Sequence, residues 1–306
     1  PFAIHPSAPV PTNQSGVDFE FFPTATEYEI SQLNIMHRLA DTWLYYKNHI
    51  YHDNLVPGLD ETILAYANVN ALCRAQYEYH VAAGEWVLWY ARAGYCAACP
   101  PTARWCPNTG YSSVVSHEYA HHILYTAGGV TPLLSQHSAF HEGYADTVAH
   151  LLYDTPLIGE NFSNEDHPSI GCDEHLRAPL VNDAYYPDCD VPWPYWHDHG
   201  MLLSVIWLDL LSNMRDTYGT SDGLGETRQL HVDWTFVTTG GEYSGLCSPE
   251  RWGRSAHVGT LLEVLIADDD DSNLGNSTPN RDDICTAFND HGIWDSDLCG
   301  GTRPAV

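Results

Sequence analysis

Basic residues are scarce in this chain. Its 306 residues hold 12 lysines and arginines against 40 aspartates and glutamates, giving a formal charge of −28, and Lys47 is the single lysine. A surface of that sign repels nucleic-acid phosphates and anionic membranes, so those partners are excluded; it reads as a device for solubility and salt tolerance. Long apolar runs are missing as well. Stretches such as Met201–Leu208 fall far short of the roughly 20 residues a membrane-spanning helix needs. Pro1-Phe2-Ala3 has neither the basic nor the apolar stretch of a secretory leader. The expectation is a chain that has lost its leader and pro-segment, or an excised domain. Internal repeats are absent too, and the length suits one large or two modest domains with substantial cores.

What is present falls into a sequence of elements. Residues 1–26, rich in Pro, Ser and Thr, read as an extended arm. Apolar positions at Ile30, Leu33, Met36, Leu39 and Trp43 predict a helix over 28–49. Thr62–Val69 and the aromatic Glu85–Ala93 read as strands, and 94–110 as a Cys- and Pro-rich loop. Helical patterns follow over Tyr111–Thr126, stopped by Gly128-Gly129, and over Ser138–Tyr153. A long loop-rich segment, 154–196, precedes helices at about 197–216, 256–267 and 279–291. Strands before residue 111 and helices after it imply an α+β fold in two lobes.

The chemistry concentrates in His117-Glu118-Tyr119-Ala120-His121. Two imidazoles four apart on a helix share a face and can hold one metal ion, and the intervening glutamate lies beside them as a base. His122 falls well off that face. On the next helical stretch Glu142 and Asp146 are also four apart. A zinc hydrolase needs three protein ligands with one position left open, and a ligating histidine needs an acceptor behind its outer nitrogen. The metzincin alternative fails, because the places for its Gly and third His hold Leu124 and Ala127.

This pairing of His-Glu-x-x-His with Glu-x-x-x-Asp resembles the thermolysin-type (gluzincin) metallopeptidases, and the chain from about 29 to 293 is similar to fungalysin-like secreted bacterial relatives. The resemblance implies zinc held by His117, His121 and Glu142 in a cleft between two lobes. The first lobe, 27–130, would carry a mixed sheet and the active-site helix; the second, 131–306, would be mainly helical. It implies Glu118 as general base and Asp146 as the acceptor that orients His117. His141 stands where thermolysin has an Asn that orients the second histidine; it either does the same or has no role. His197-Asp198-His199-Gly200 resembles the fungalysin segment in which a histidine faces the zinc. By that register His197 stabilises the oxyanion, with His199 the alternative, and residues 127–141 contain no tyrosine for that task. Arg74-Ala75-Gln76 occupies the place of the family's substrate-binding edge strand, with Arg74 where an Asn is usual.

Asp268, Asp269, Asp270, Asp271 and Asn273 are similar to acidic loops of those relatives and offer hard oxygen ligands to Ca²⁺; an ion-free acidic turn is the alternative. The nine cysteines suggest disulfides and an oxidising, extracellular setting. Plausible pairs are Cys172–Cys189, Cys285–Cys299, Cys73–Cys106 and a strained Cys96–Cys99, leaving Cys247 over. A structural zinc on Cys96, Cys99 and Cys106 is the rival reading. The expected function is that of a secreted, monomeric zinc endopeptidase acting on proteins or peptides. The alternatives are an inactive peptidase-fold scaffold and a zinc hydrolase of non-peptide amides.

Overall fold

The computed structural model describes residues 26–50, 59, 62–71, 74–82, 84–96, 104–110, 112–131, 138–159, 196–240 and 255–300. Within these the protein is α+β, with helices predominating over a small mixed sheet. None of the helices is long and apolar enough to cross a membrane. Most of the arm 1–26 and most of the loop 154–196 lie outside the described residues.

Helix α1 (Glu27–His49) opens on a reciprocal capping box in which the Thr26 hydroxyl accepts from Glu29 N and the Glu29 carboxylate accepts from Thr26 N. Its inward stripe of Ile35, Thr42, Tyr45 and Tyr46 is buried. The sheet follows as β1 (Leu64–Val69), β2 (Ala75–His80) and β3 (Glu85–Ala91) in the order β1-β3-β2. β3 is central, parallel to β1 and antiparallel to β2, so β2 is an edge strand among the described residues. The segment read as loop over 94–110 instead forms a short antiparallel pair, β4 (Gly94–Cys96) and β5 (Arg104–Cys106). Three-residue strands give too little alternation to stand out in a sequence pattern.

Helix α2 (Ser112–Thr126) ends where Gly129 takes φ 71°, a left-handed turn that only glycine adopts without strain. Helix α3 (Ser138–Tyr153) matches its sequence-predicted span and is buried along nearly its whole length. It lies between α2 and α4 (Trp196–Tyr218), whose Leu203, Ile206, Trp207, Leu210 and Met214 are buried at helical spacing. Gly219, at φ 90°, turns the chain straight into α5 (Thr220–Thr235), a helix the sequence pattern did not announce. Two glycines and the strand-like alternation Leu230, Val232, Trp234 mask it. Tertiary packing overrides that local preference: a Cβ on Gly223 would lie 2.6 Å from the Arg215 backbone, so α5 uses its glycine to press against α4. Helices α6 (Val258–Asp268), α7 (Arg281–Asp290) and the short α8 (Ser296–Cys299) complete the C-terminal part.

Cys285 on α7 and Cys299 on α8 form the expected disulfide. Cys106 is also disulfide-bonded, which removes it as a thiolate ligand and overturns the structural-zinc reading of Cys96, Cys99 and Cys106. Cys73, Cys99, Cys172, Cys189 and Cys247 lie outside the described residues, as does the side chain of Cys96.

Candidate metal centre

Helices α2 and α3 pack side by side and bring the two halves of the motif together. His117 Nε2 lies 3.1 Å from His121 Nε2 and 3.2 Å from Glu142 Oε2, while Glu142 Oε1 is 3.8 Å from His121 Nε2. A tetrahedral ion with bonds of 2.0–2.1 Å separates its ligand atoms by about 3.3 Å. The three residues offer donor atoms all within 4.8 Å of one another, a group that could hold a metal ion. His117 and His121 are buried and Glu142 nearly so, its side chain 13% exposed.

The outer nitrogens fix which atoms carry protons. His117 Nδ1 is 2.7 Å from Asp146 Oδ1, and Asp146 is buried at 1% exposure. The carboxylate accepts the Nδ1 proton and leaves the Nε2 lone pair facing the cluster. For His121 the acceptor is His141, Nδ1 to Nδ1 at 3.4 Å. His141 Nε2 in turn lies 3.0 Å from the Val130 carbonyl. A carbonyl only accepts, so neutral His141 carries its proton on Nε2 and presents a bare Nδ1 to His121 Nδ1–H. Both cluster imidazoles therefore turn unprotonated nitrogens towards a carboxylate. Three lone-pair-bearing atoms packed this closely repel one another unless a cation lies among them, which is the chemistry of a metal site.

Burial pushes the His121 pKa well below the usual histidine range, against the pull of Glu142, which favours the neutral ligand form. Burial alone would raise Glu142, but positive charge on the neighbouring His197 opposes it, and the carboxyl is held well below its usual range.

His197, half-exposed at 38%, places Nε2 3.2 Å from Glu142 Oε2 yet stays outside the three-residue donor cluster. Its position follows from a backbone contact. Gly143 on α3 and Gly200 on α4 meet directly: a Cβ on Gly200 would lie 2.7 Å from Gly143 N and 2.9 Å from both Ala139 O and Glu142 Cβ. The sequence pattern points to Gly200 and passes over Gly143, although Gly143 directly follows Glu142. The side chain of His199 lies outside the described residues.

Glu118 is buried on α2, close enough to Tyr90 for its charge to add to the burial that raises that phenol's pKa. Turning from His117 at about 100° per residue, His121 comes at about 40°, Glu118 at about 100° and His122 at about 140°. His122 meets the sheet: its Nδ1 is 3.2 Å from the Tyr77 hydroxyl, and it stacks on Tyr119. With the His117–His121 face towards α3 and His122 against β2, Glu118 falls between them.

β2 runs in the same direction as α2. The Arg74 carbonyl accepts from Thr109 Oγ1 at 2.9 Å just before α2 begins, Tyr77 reaches His122, and Trp86, opposite Tyr79, meets Tyr125 near the end of α2. Glu118 lies one turn, about 6 Å, before His122. That is about two strand residues, so it stands about level with Ala75. Ala91 N donates to the Arg74 carbonyl, so by the antiparallel alternation Ala75, Tyr77 and Tyr79 turn their N–H and C=O groups to the edge that no strand occupies among the described residues.

The acidic loop is smaller as a cluster than its sequence suggested. Asp269, Asp270 and Asp271 bring carboxylate oxygens within 4.8 Å of one another. Asp268 instead accepts from Asn280 N and Nδ2 at 2.7 and 2.6 Å, tying the end of α6 to the start of α7, and Asn273 Oδ1 accepts from Gly275 N. No protein-family model matches this chain, and no curated protein matches it significantly.

Proposed function

We propose that the protein is a zinc endopeptidase of the gluzincin type, its cleft lying between the β2 edge and the α2–α3–α4 cluster. The observation that carries this reading is the joint geometry of His117, His121 and Glu142 with Asp146 behind His117, because it supplies three converging donors with their tautomers set. Such a donor set, two imidazoles and one carboxylate, suits zinc. Zinc bound there supplies Lewis acidity, making water a nucleophile near neutral pH and drawing charge onto the oxygen of the scissile carbonyl.

The chain's own residues do the rest. Backbone groups of Ala75 and Tyr77 hold an extended peptide as an added strand, which carries its carbonyl past Glu118. Glu118 takes the proton of the attacking water and hands it to the departing amine. His197, held by the Gly143–Gly200 contact, lies beside Glu142 with its ring half open to the cleft, where it donates to the oxyanion. Asp146 and His141 keep the two imidazoles in ligand form throughout. A strand edge left unpaired among the described residues favours peptides over small amides as substrates. The disulfide and the acidic composition fit a secreted protein.

The test is Glu118→Gln in the zinc-loaded protein. Cleavage of a denatured protein such as casein should drop by about 10²–10⁴-fold, with zinc content unchanged. Equal cleavage by both proteins, or none by either, would sink the assignment.

A further inference from the structure

In a chain of charge −28, most arginines with described side chains are spent on structure. Arg38 pairs with Asp41 at 2.9 Å and Arg215 with Asp154 at 2.6 Å, while Arg228 and Arg281 donate to main-chain carbonyls. Arg74 differs. Like Arg92, which donates to Asn70 Oδ1 at 2.7 Å, it forms no ion pair among the described residues, but it is exposed and stands at the start of the edge strand. Its guanidinium is nonetheless held in place, 5.6 Å over the Trp89 ring and 2.8 Å from Gln76 Oε1. That hydrogen bond uses one of its five donors.

Trp89 adds a second observation. It is 9% exposed, and its buried indole N–H has no hydrogen-bond partner among the described residues. Tyr77 faces α2, so strand alternation puts Arg74, Gln76 and Trp89 together on the opposite face. Along that face of β2 the next acidic side chain is Glu78, two residues beyond Gln76.

From these placements we infer that Arg74 is a specificity-determining residue that receives a carboxylate of the substrate next to the cleaved bond. The inference rests on the peptidase reading above and deepens it. A peptide strand added to β2 sets the side chains of directly opposed residues on one face, close enough to pair. Glu118 stands about level with Ala75, so the residue opposite Arg74 lies within two positions of the scissile bond. Antiparallel pairing is the more stable arrangement, and it puts that residue on the C-terminal side of the cut. The carboxylate is either an Asp or Glu side chain or the terminus of a short peptide.

The test compares the zinc-loaded wild type with Arg74→Gln and Arg74→Glu on a peptide set. Glu, Gln or Lys is placed at each of the two positions after the cleaved bond, with the C-terminus either free or amidated. Wild type should favour Glu over Gln by about 2- to 5-fold in kcat/KM, mainly through KM, and disfavour Lys. Arg74→Gln should be indifferent and Arg74→Glu should favour Lys. A preference confined to free-acid peptides, lost in both variants, would assign the carboxylate to the chain terminus. Unfolding midpoints and zinc content confirm that the variants fold. Cleavage blind to charge, or a preference identical in wild type and Arg74→Glu, overturns the inference while leaving the peptidase reading standing. Absence of any peptide cleavage overturns both.

Discussion

His231 makes this fold acid-sensitive by an amount that can be worked out in advance. The side chain is fully buried on α5, with Nδ1 3.3 Å from the Tyr45 hydroxyl and its ring against Tyr144, Trp207 and Trp234. Nε2 has no hydrogen-bond partner among these groups, so a proton added to the ring finds no acceptor. Burial first, and then repulsion from His49, pull its pKa from 6.5 down to about 3. A base with a depressed folded-state pKa binds more protons when unfolded. Stability is therefore intact above pH 6.5, falls as pH drops through 6.5, and levels off only near 3. At about 1.4 kcal/mol per unit, the full loss approaches roughly 5 kcal/mol, of which about 2.6 kcal/mol appears between pH 7.5 and 4.5. The measurement is urea unfolding of wild type and His231→Phe at both pH values. Each protein serves as its own reference, so any packing cost of Phe cancels, as do the effects of acid on the cluster histidines. Wild type should lose about 2.6 kcal/mol more than the variant. Losses equal to within about 0.5 kcal/mol, inside the scatter of additive mutational effects, would refute the argument.

Three further outcomes are expected. Asp146→Ala removes the acceptor behind His117 and should weaken zinc binding about 10–100-fold in a chelator competition; unchanged affinity would dismiss the proposed link to the metal. Replacing Cys285 and Cys299 together by serine opens a link across a separation of 14 residues. By chain entropy this should cost about 3 kcal/mol in chemical unfolding, and a loss below about 1 kcal/mol would mean that α8 adds little order. Gly200→Ala forces α3 and α4 apart and should cost about 1–3 kcal/mol, together with lower peptidase activity; a neutral substitution would show that the contact is slack.

The elements legible in the sequence were those whose signal is local. Ser138–Tyr153 was delimited to the residue because its apolar period and its Glu142/Asp146 spacing agree on one helix. His117 and His121 could be paired with Glu142 through the resemblance to the gluzincin pattern, and the three side chains do converge. Features made through space were hidden. α5 becomes a helix by docking against α4, and the role of His141 depends on the Val130 carbonyl, which no spacing rule connects to it. Asp268 looked like its acidic neighbours, yet its carboxylate is committed to Asn280.

The two imidazoles of the cluster are steadied in different ways. His117 relies on the side chain of Asp146, which one base change can delete. His121 is steadied through His141 by a peptide carbonyl at position 130, an atom every amino acid supplies. The side chain there is constrained as well: Val130 is 3% exposed and packs in the hydrophobic core, so position 130 accepts only apolar residues of similar size. Random mutagenesis should find codons 146 and 141 rigid, since each supplies the side chain that accepts from a cluster imidazole, and codon 130 confined to apolar residues.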